Sequence, residues 1–296
     1  MAQSLERQPL VRKVLLTGAG GQLGQDIVIA SEKHSAIELV ALDRDGLDVT
    51  DRSATLDTIT HIRPDVIIHA GAYTAVDACE QDSEGAFAVN ATGTENVVDG
   101  ARVVDARVIY VSTDYVFDGT KLEPYVESDS PNPTSVYGAS KLAGERAVGS
   151  LDDKGLIVRT SWVCGVHGSN MVKTILRAAE NHPTLTFVDD QIGKPTFTAD
   201  LAETLLMLAA RDDSGIMHVT NEGAVSWFEF CQDVLEAAGL GRDRVLPCAT
   251  HELQPPRPAP RPANSVLANT RFADLDLSPL PPYQDSLKDV VLDLTS

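Results

Sequence analysis

A short apolar run, a glycine-rich turn and a helical pattern near the start of the chain constrain its fold more than any other stretch. VRKVLLT (residues 11–17) leads into GAGGQLG (18–24). An apolar run of this length bounded by glycines predicts a strand buried on both faces, as in a parallel sheet. LGQDIVIASEK then carries apolar residues at helical spacing. Gly18, Gly21 and Gly24 fall three residues apart. Glycines at such a turn permit a tight reversal and a close backbone approach, and the helix that follows aims its unpaired amides at the same point. Strand, turn and helix in this order predict a phosphate-binding loop of a dinucleotide site; an ordinary glycine-rich connection is the bland alternative.

The next segments repeat the alternation. IELVALD predicts a second strand ending at Asp43. An acid about 20 residues past the glycine loop is placed to accept hydrogen bonds from an adenosine ribose. Arg44 follows at once and suits a 2′-phosphate, so NADH and NADPH both stay open. Asp48 and Val49 are expected in a short third strand, where the carboxylate meets an adenine amino group; a turn before the helix TDRSATLDTITHI is the other reading. RPDVIIHAGAYTAVD supplies a further strand, and its Ala70, Gly71 and Ala72 leave room for a flat ligand. SEGAFAVNATGTENVVDGARVVDA reads as helix, with Asn90 either bonded inside or solvated. RVIYVST is a strand that delivers Ser112 and Thr113 at its carboxyl end. Strands alternating with helices predict an α/β fold with a right-handed, doubly wound parallel sheet, Rossmann-like, whose ligands lie beyond the carboxyl ends of the strands.

STDYVFDG (112–119) and YGASK (137–141) carry the chemistry. Tyr137 and Lys141 stand four residues apart in a helical segment, on one face and one turn apart. An ammonium beside a phenol is expected to lower the phenol from its usual value of about 10. A phenol so tuned donates a proton at neutral pH. A Y-x-x-x-K pair by itself is common on surface helices, and its weight comes from the strand ends around it.

Beyond Lys141, GLIVRTSWVCG predicts a sixth strand ending in Trp162, which packs in the core or walls a ligand. TADLAETLLMLAAR reads as an amphipathic helix opened by Thr198. SWFEFCQDVLEAAGL begins with a capping box, Ser226 and Glu229. QPPRPAPRPANSVL holds Arg257 and Arg261, which face a diphosphate or lie in a solvated loop. The expected organisation is a dinucleotide-binding domain over 1–165 with roughly 187–212 and 264–275. A smaller C-terminal α/β substrate-binding lobe takes roughly 166–186, 213–263 and 276–296.

A net charge of −19 argues against nucleic acid or an anionic membrane as partner. The four cysteines show no C-x-x-C spacing and no Cys/His cluster, so no metal is expected and the thiols read as reduced. Residues 1–11 read as a loose leader without an apolar signal core, which places the protein in the cytoplasm. A small-molecule ligand is the partner expected, with room for a homodimer.

Taken together, TGAGGQLG (17–24), AGAYTAVDACE (70–80), STDYVFDG, PNPTSVYGASKLAGE (131–145), RTSWVCG (159–165), QIGKPT (191–196), HVTNEGAVSWFEF (218–230) and RPANSVLANTRF (261–272) resemble the extended short-chain dehydrogenase/reductase superfamily. Within it the chain resembles the dTDP-4-dehydrorhamnose reductase family. The resemblance implies reduction of a nucleotide 4-keto-sugar by NADPH or NADH to dTDP-L-rhamnose. It implies Tyr137 as proton donor to the sugar carbonyl, Lys141 on the nicotinamide ribose, and Thr113, where the superfamily more often has serine, on the reacting oxygen. Asp114 and Trp162 match positions that touch the sugar nucleotide. Gly21, Gln22, Leu23, Asp43, Asp48, Val49, Ala70, Gly71, Ala72 and Val111 match cofactor-contacting positions. His69 and Gly71 depart from the more usual Asn and Ala. Two other readings share the likeness: a nucleotide-sugar epimerase or dehydratase holding NAD, and a non-catalytic NADP-binding regulatory subunit of methionine adenosyltransferase.

Overall fold

The computed structural model describes residues 11–296. The expected leader, Val11 excepted, lies outside the described residues. The chain opens with β1 (Arg12–Thr17), α1 (Gln22–Ser31), β2 (Ile37–Leu42), α2 (Arg52–Ile62) and β3 (Val66–His69). Next come α3 (Val76–Gln81), α4 (Ser83–Phe87), a π-helical turn at Ala88–Thr92, α5 (Gly93–Val104) and β4 (Arg107–Thr113). After an irregular stretch follow α6 (Val136–Gly149), β5 (Gly155–Thr160), β6 (Val163–Cys164), α7 (Met171–Asn181), β7 (Leu185–Val188), β8 (Ile192–Gly193) and β9 (Thr196–Phe197). The remainder is α8 (Thr198–Ala209), β10 (Gly215–His218), β11 (Val225–Ser226), α9 (Trp227–Ala237), β12 (Val245–Cys248), α10 (Arg271–Asp274) and α11 (Tyr283–Thr295).

Six strands form one sheet in the order β10-β5-β4-β3-β1-β2, every pair parallel. β1 has β2 on one side and β3 on the other, so the winding reverses there and opens a crevice beyond the carboxyl ends. The registers align those ends: Thr17 pairs with Leu42 and with His69, and Thr113 pairs with Thr160. Strand side chains alternate between faces. Val14 and Leu16 accordingly join Ile27, Leu201 and Leu205 in one core layer, and Leu15 joins Ile59, Val97 and Val108 in the other. Leu205→Ala would cost about 2–5 kcal/mol through transfer and cavity terms.

A second, smaller core gathers Val172, Ile175, Phe230, Val234, Tyr283 and Leu287. The short pairs β6–β9, β7–β12 and β8–β11 lie beside it. β10, expected in the lobe, is instead the sixth strand of the main sheet.

Two local readings are corrected. Asp48 and Val49 form no strand. Asp48 Oδ1 accepts from the Thr50 amide at 3.0 Å and from its hydroxyl at 2.7 Å, closing a turn that runs into Asp51, the N-cap of α2. Short polar side chains that bond the neighbouring backbone compete with a strand ladder, and here they win. The strand expected to end in Trp162 stops at Thr160, and a separate β6 begins at Val163, because Trp162 takes a left-handed φ of 46°. Thr198 opens α8 as read, with Phe197 at the cap position making no side-chain bond. α8 is amphipathic as read: Leu201, Leu205, Leu206 and Leu208 are fully buried while Ala199 and Glu203 face outward. The capping box of α9 forms as read.

Candidate active site

A cleft of about 1240 Å³ opens beyond the carboxyl ends of β1 to β5. One end is the glycine loop. Gly18 has φ 79°, and a Cβ there would lie 2.6 Å from the Gly71 amide nitrogen; a Cβ on Gly24 would lie 2.2 Å from the Gly18 carbonyl oxygen. Only glycine fits either place. Gly21 is the N-cap of α1 and offers no side chain to its first amides. An uncapped helix N-terminus in a backbone cradle suits a pyrophosphate. Gln22 and Leu23 line the same end of the cleft.

Asp43 and Arg44 follow β2 at the rim. Asp43 Oδ1 accepts from the Gly46 amide at 2.9 Å, which fixes the turn. The Arg44 side chain is 83% exposed and stands 3.9 Å from the Asp48 carboxylate. Val49, Ala70, Gly71, Ala72 and Val111 also line the cleft. Beneath it His69 bridges β1 and α5, with Nδ1 2.6 Å from the Thr17 hydroxyl and Nε2 3.1 Å from that of Thr94. Burial, then the charge of Lys141, brings this imidazole down to about 3, so it is neutral.

At the other end stand Thr113, Asp114, Tyr137, Lys141 and Trp162. Ser135 caps α6 by accepting from the Gly138 amide at 3.1 Å, which sets Tyr137 in the first turn and Lys141 one turn on. Both are buried. Lys141 Nζ donates to the Val111 carbonyl at 2.7 Å and lies 4.0 Å from the centroid of the Tyr110 ring. Burial brings this ammonium down to about 7, with Glu145 pulling the other way.

The expected lowering of the Tyr137 phenol is overturned. Burial raises it above its ordinary value, and Asp114 and Tyr115 add to that, while the Thr113 hydroxyl alone opposes. The cause is geometric: the Lys141 ammonium is turned onto Val111, and the phenol sits among Cys79, Ala86 and the edge-on ring of Tyr115. Tyr137 therefore stands protonated. Thr113 donates to Asp114 Oδ1 at 2.9 Å and accepts from the Tyr115 amide at 3.2 Å. Burial pushes the Asp114 carboxyl up to about 6, the Ser265 and Thr113 hydroxyls opposing. Its second oxygen makes no hydrogen bond of regular geometry among the described residues.

Ser112 does not share the cleft chemistry, because its hydroxyl donates to Glu145 at 2.6 Å. Glu145 is held in turn by the Arg159 guanidinium at 2.8 and 2.7 Å, both side chains being buried. Arg257 and Arg261 do not line the cleft. Arg261 donates to Asp77, Nη2 to Oδ2 at 2.8 Å, and Arg257 stands 3.7 Å from the same carboxylate. An acid in the first turn of α3 faces the proline-rich loop and captures both cations.

Three contributors were not assigned to the site from the sequence, and of the two readings of Asn90 the bonded one holds. Asn90, in the π-helical turn, accepts from the Tyr73 amide at 2.8 Å and donates to Ser140 at 3.0 Å; Ser140 donates to the Tyr137 carbonyl at 2.8 Å. Asn90 thereby ties the loop after β3 to the helix of Tyr137. A buried asparagine mid-helix was its only signal. Tyr115 and Trp227 complete the wall and left no spacing to find them by.

A family model described as "RmlD substrate binding domain" matches residues 12–296. The chain is 38% identical over 267 residues to the spore coat polysaccharide biosynthesis protein SpsK of Bacillus subtilis, covering 90% of this chain and 93% of that protein. It is 40% identical over 281 residues to a dTDP-4-dehydrorhamnose reductase of Mycobacterium tuberculosis, covering 93% and 91%. The crystal structure of a dTDP-4-dehydrorhamnose reductase from Bacillus anthracis, in complex with NADP, superposes with a TM-score of 0.91 at 36% identity, covering 95% of this chain and 99% of that one.

Proposed function

The chain belongs to the RmlD substrate-binding-domain family, and on that premise we propose that it reduces dTDP-4-dehydro-6-deoxy-L-mannose (dTDP-6-deoxy-L-lyxo-4-hexulose) to dTDP-L-rhamnose with NADPH or NADH. It is an oxidoreductase of dTDP-rhamnose biosynthesis. One observation carries the reading beyond the likeness. A single cleft of about 1240 Å³ joins the glycine cradle to the Thr113–Tyr137–Lys141 set, and a site for one small ligand occupies about 300–1,000 Å³. The cleft has room for a dinucleotide and a nucleotide sugar end to end.

The residue roles are part of the proposal. Gly18, Gly21 and Gly24, with the first amides of α1, hold the pyrophosphate; Asp43 and Arg44 read the adenosine ribose. The reduced nicotinamide, when bound, supplies hydride to the keto carbon. Tyr137, protonated in its buried place, gives its proton to the carbonyl oxygen as that oxygen gains charge. Thr113 turns its one hydroxyl hydrogen from Asp114 to the same oxygen and fixes its direction. Lys141, its ammonium resting on the Val111 carbonyl, holds the nicotinamide ribose. Asp114 and Trp162 bound the sugar. The two-lobed organisation, cytoplasmic residence and a homodimer belong to the same proposal.

The test supplies the 4-keto-sugar nucleotide, made in situ, and follows loss of reduced nicotinamide absorbance with NADH and NADPH in parallel. Oxidation that requires the sugar supports the reading. No oxidation while cofactor still binds would transfer it to a binding module, and protein that purifies with NAD bound would favour an epimerase.

A further inference from the structure

Both tryptophans of the chain, Trp162 and Trp227, lie on the wall of the cleft. Their indoles are stacked with ring centroids 3.5 Å apart and planes 7° from parallel. Two aromatic rings by themselves prefer an offset or edge-on approach to such a sandwich, so the surroundings impose it. Phe230 stands edge-on to both, at 6.3 Å from Trp162 and 5.8 Å from Trp227. On another side lies Gly193, where a Cβ would be 2.4 Å from Cε2 of Trp162. The indole fills the space that a side chain there would take.

The backbone of Trp162 points the same way. Its φ of 46° is an outlier for a bulky residue, and such strain persists where the surroundings over-determine it, often at a ligand clamp. What holds it comes from one piece of the smaller unit. β8 and β11 pair with Gly193 opposite Val225, and Trp227 is the first residue of α9 after β11. Ser226 anchors that junction: it accepts from the Glu229 amide at 3.2 Å, donates to Asp189 at 2.8 Å, and its amide donates to the Glu229 carboxylate at 3.0 Å.

The place in the sheet tells which ligand the stack meets. Trp162 lies two residues past Thr160, the β5 partner of Thr113. Asp43 follows β2, which is the edge strand on the far side of the sheet. The stacked indoles therefore flank the end of the cleft beside Thr113 and away from the ribose-reading acid.

We infer that Trp227 and Gly193 are positioning residues for the sugar substrate: they hold the Trp162 indole as an apolar wall against the deoxysugar ring. Sugar affinity then depends on the smaller unit, and cofactor affinity does not. The inference rests on the reductase reading and deepens it.

Because the chain holds no other tryptophan, circular dichroism in the indole bands reports this pair alone. An exciton couplet is expected in the wild type and is lost in Trp227→Phe. Trp227→Leu should raise KM for the nucleotide sugar roughly three- to tenfold, the worth of one aromatic contact, with kcat and KM for NADPH held within about twofold. Trp227→Phe should recover most of that loss, and Gly193→Ala should reproduce it while disturbing the couplet. An unchanged sugar KM in Trp227→Leu overturns the inference, as does a parallel rise in both KM values, which marks general damage. If Trp227→Leu does not fold, Trp227→Phe and Gly193→Ala are judged by the same split. A wild type with no sugar-dependent oxidation sinks the reductase and this inference together, whereas an active wild type with indifferent variants sinks the inference alone.

Discussion

Lys141 turns its ammonium onto the Val111 carbonyl, 2.7 Å away, and not onto the phenol of Tyr137 one helical turn before it. The spacing of the two residues is right for direct contact, yet the ammonium lies over the Tyr110 ring, 4.0 Å from its centroid. The acid and the cation are thus separate devices. Tyr137 keeps its proton because burial disfavours the phenolate, and the ammonium rests on the Val111 carbonyl of β4.

Tyr137→Phe keeps the ring against Tyr115 and removes the proton. Turnover is expected to fall by about two to four decades, the usual contribution of a general acid, with NADPH affinity unchanged in a fluorescence titration. Near wild-type turnover would remove Tyr137 from the mechanism.

Asp114→Asn tests the buried carboxyl beside Thr113. Burial holds it at about 6 against an ordinary 3.8, so between those values the folded state binds more protons than the unfolded chain. Stability from this group therefore falls as pH rises through that window and stays lost above it. The asparagine should match the wild type below about pH 4 and exceed it by about 3 kcal/mol above about pH 6. Thermal unfolding across that range measures the gap; a gap that closes with rising pH would have the wrong sign.

The sheet and the glycine loop were legible because both are written in short-range patterns. Apolar runs bounded by glycine give buried strands, and the spacing of Gly18, Gly21 and Gly24 reports a backbone need that any ligand chemistry shares. Tyr137 and Thr113 were legible for the same reason, each being fixed by its own strand end or helix turn. What failed depended on partners distant in sequence. Arg257 and Arg261 look like free cations until α3 brings Asp77 to them. Asp48 is the local exception: its side chain bonds the Thr50 amide and hydroxyl two residues on, so the turn forms where a strand was expected. Trp227 stands in the quoted stretch SWFEF, but nothing in that stretch ties it to the cleft; its place follows from the pairing of β8 with β11, distant in sequence.

Glu145→Gln breaks a buried pair. Glu145 binds Arg159 through two bonds and receives the Ser112 hydroxyl. The variant leaves a buried guanidinium without its counter-charge, which should cost about 3–5 kcal/mol in denaturant unfolding. A double variant that makes both positions apolar, Glu145→Leu with Arg159→Met, should return most of that loss. Glu145 also favours the Lys141 ammonium, so the alkaline limb of the activity profile in Glu145→Gln should move to lower pH.

Arg44→Ala addresses the choice between the two reduced nicotinamides. The carboxylate of Asp43 is partly occupied, since Oδ1 accepts from the Gly46 amide and holds the turn; its other oxygen is left to a ribose hydroxyl. A 2′-phosphate brought to the same spot would meet that negative charge. Arg44 is the adjacent cation, 83% exposed and joined to Asp48 only at 3.9 Å, an exposed pair of the kind worth little. It can leave Asp48 for a phosphate at small cost. Removing it should raise KM for NADPH about tenfold or more, the worth of a charge-assisted hydrogen bond, and leave KM for NADH nearly unchanged. Asp43→Ala should do the reverse, weakening NADH and relieving repulsion toward NADPH. The ratio of kcat/KM for the two cofactors in each variant reads the assignment directly, and equal losses for both cofactors in Arg44→Ala would mean that this guanidinium does not face the 2′ position.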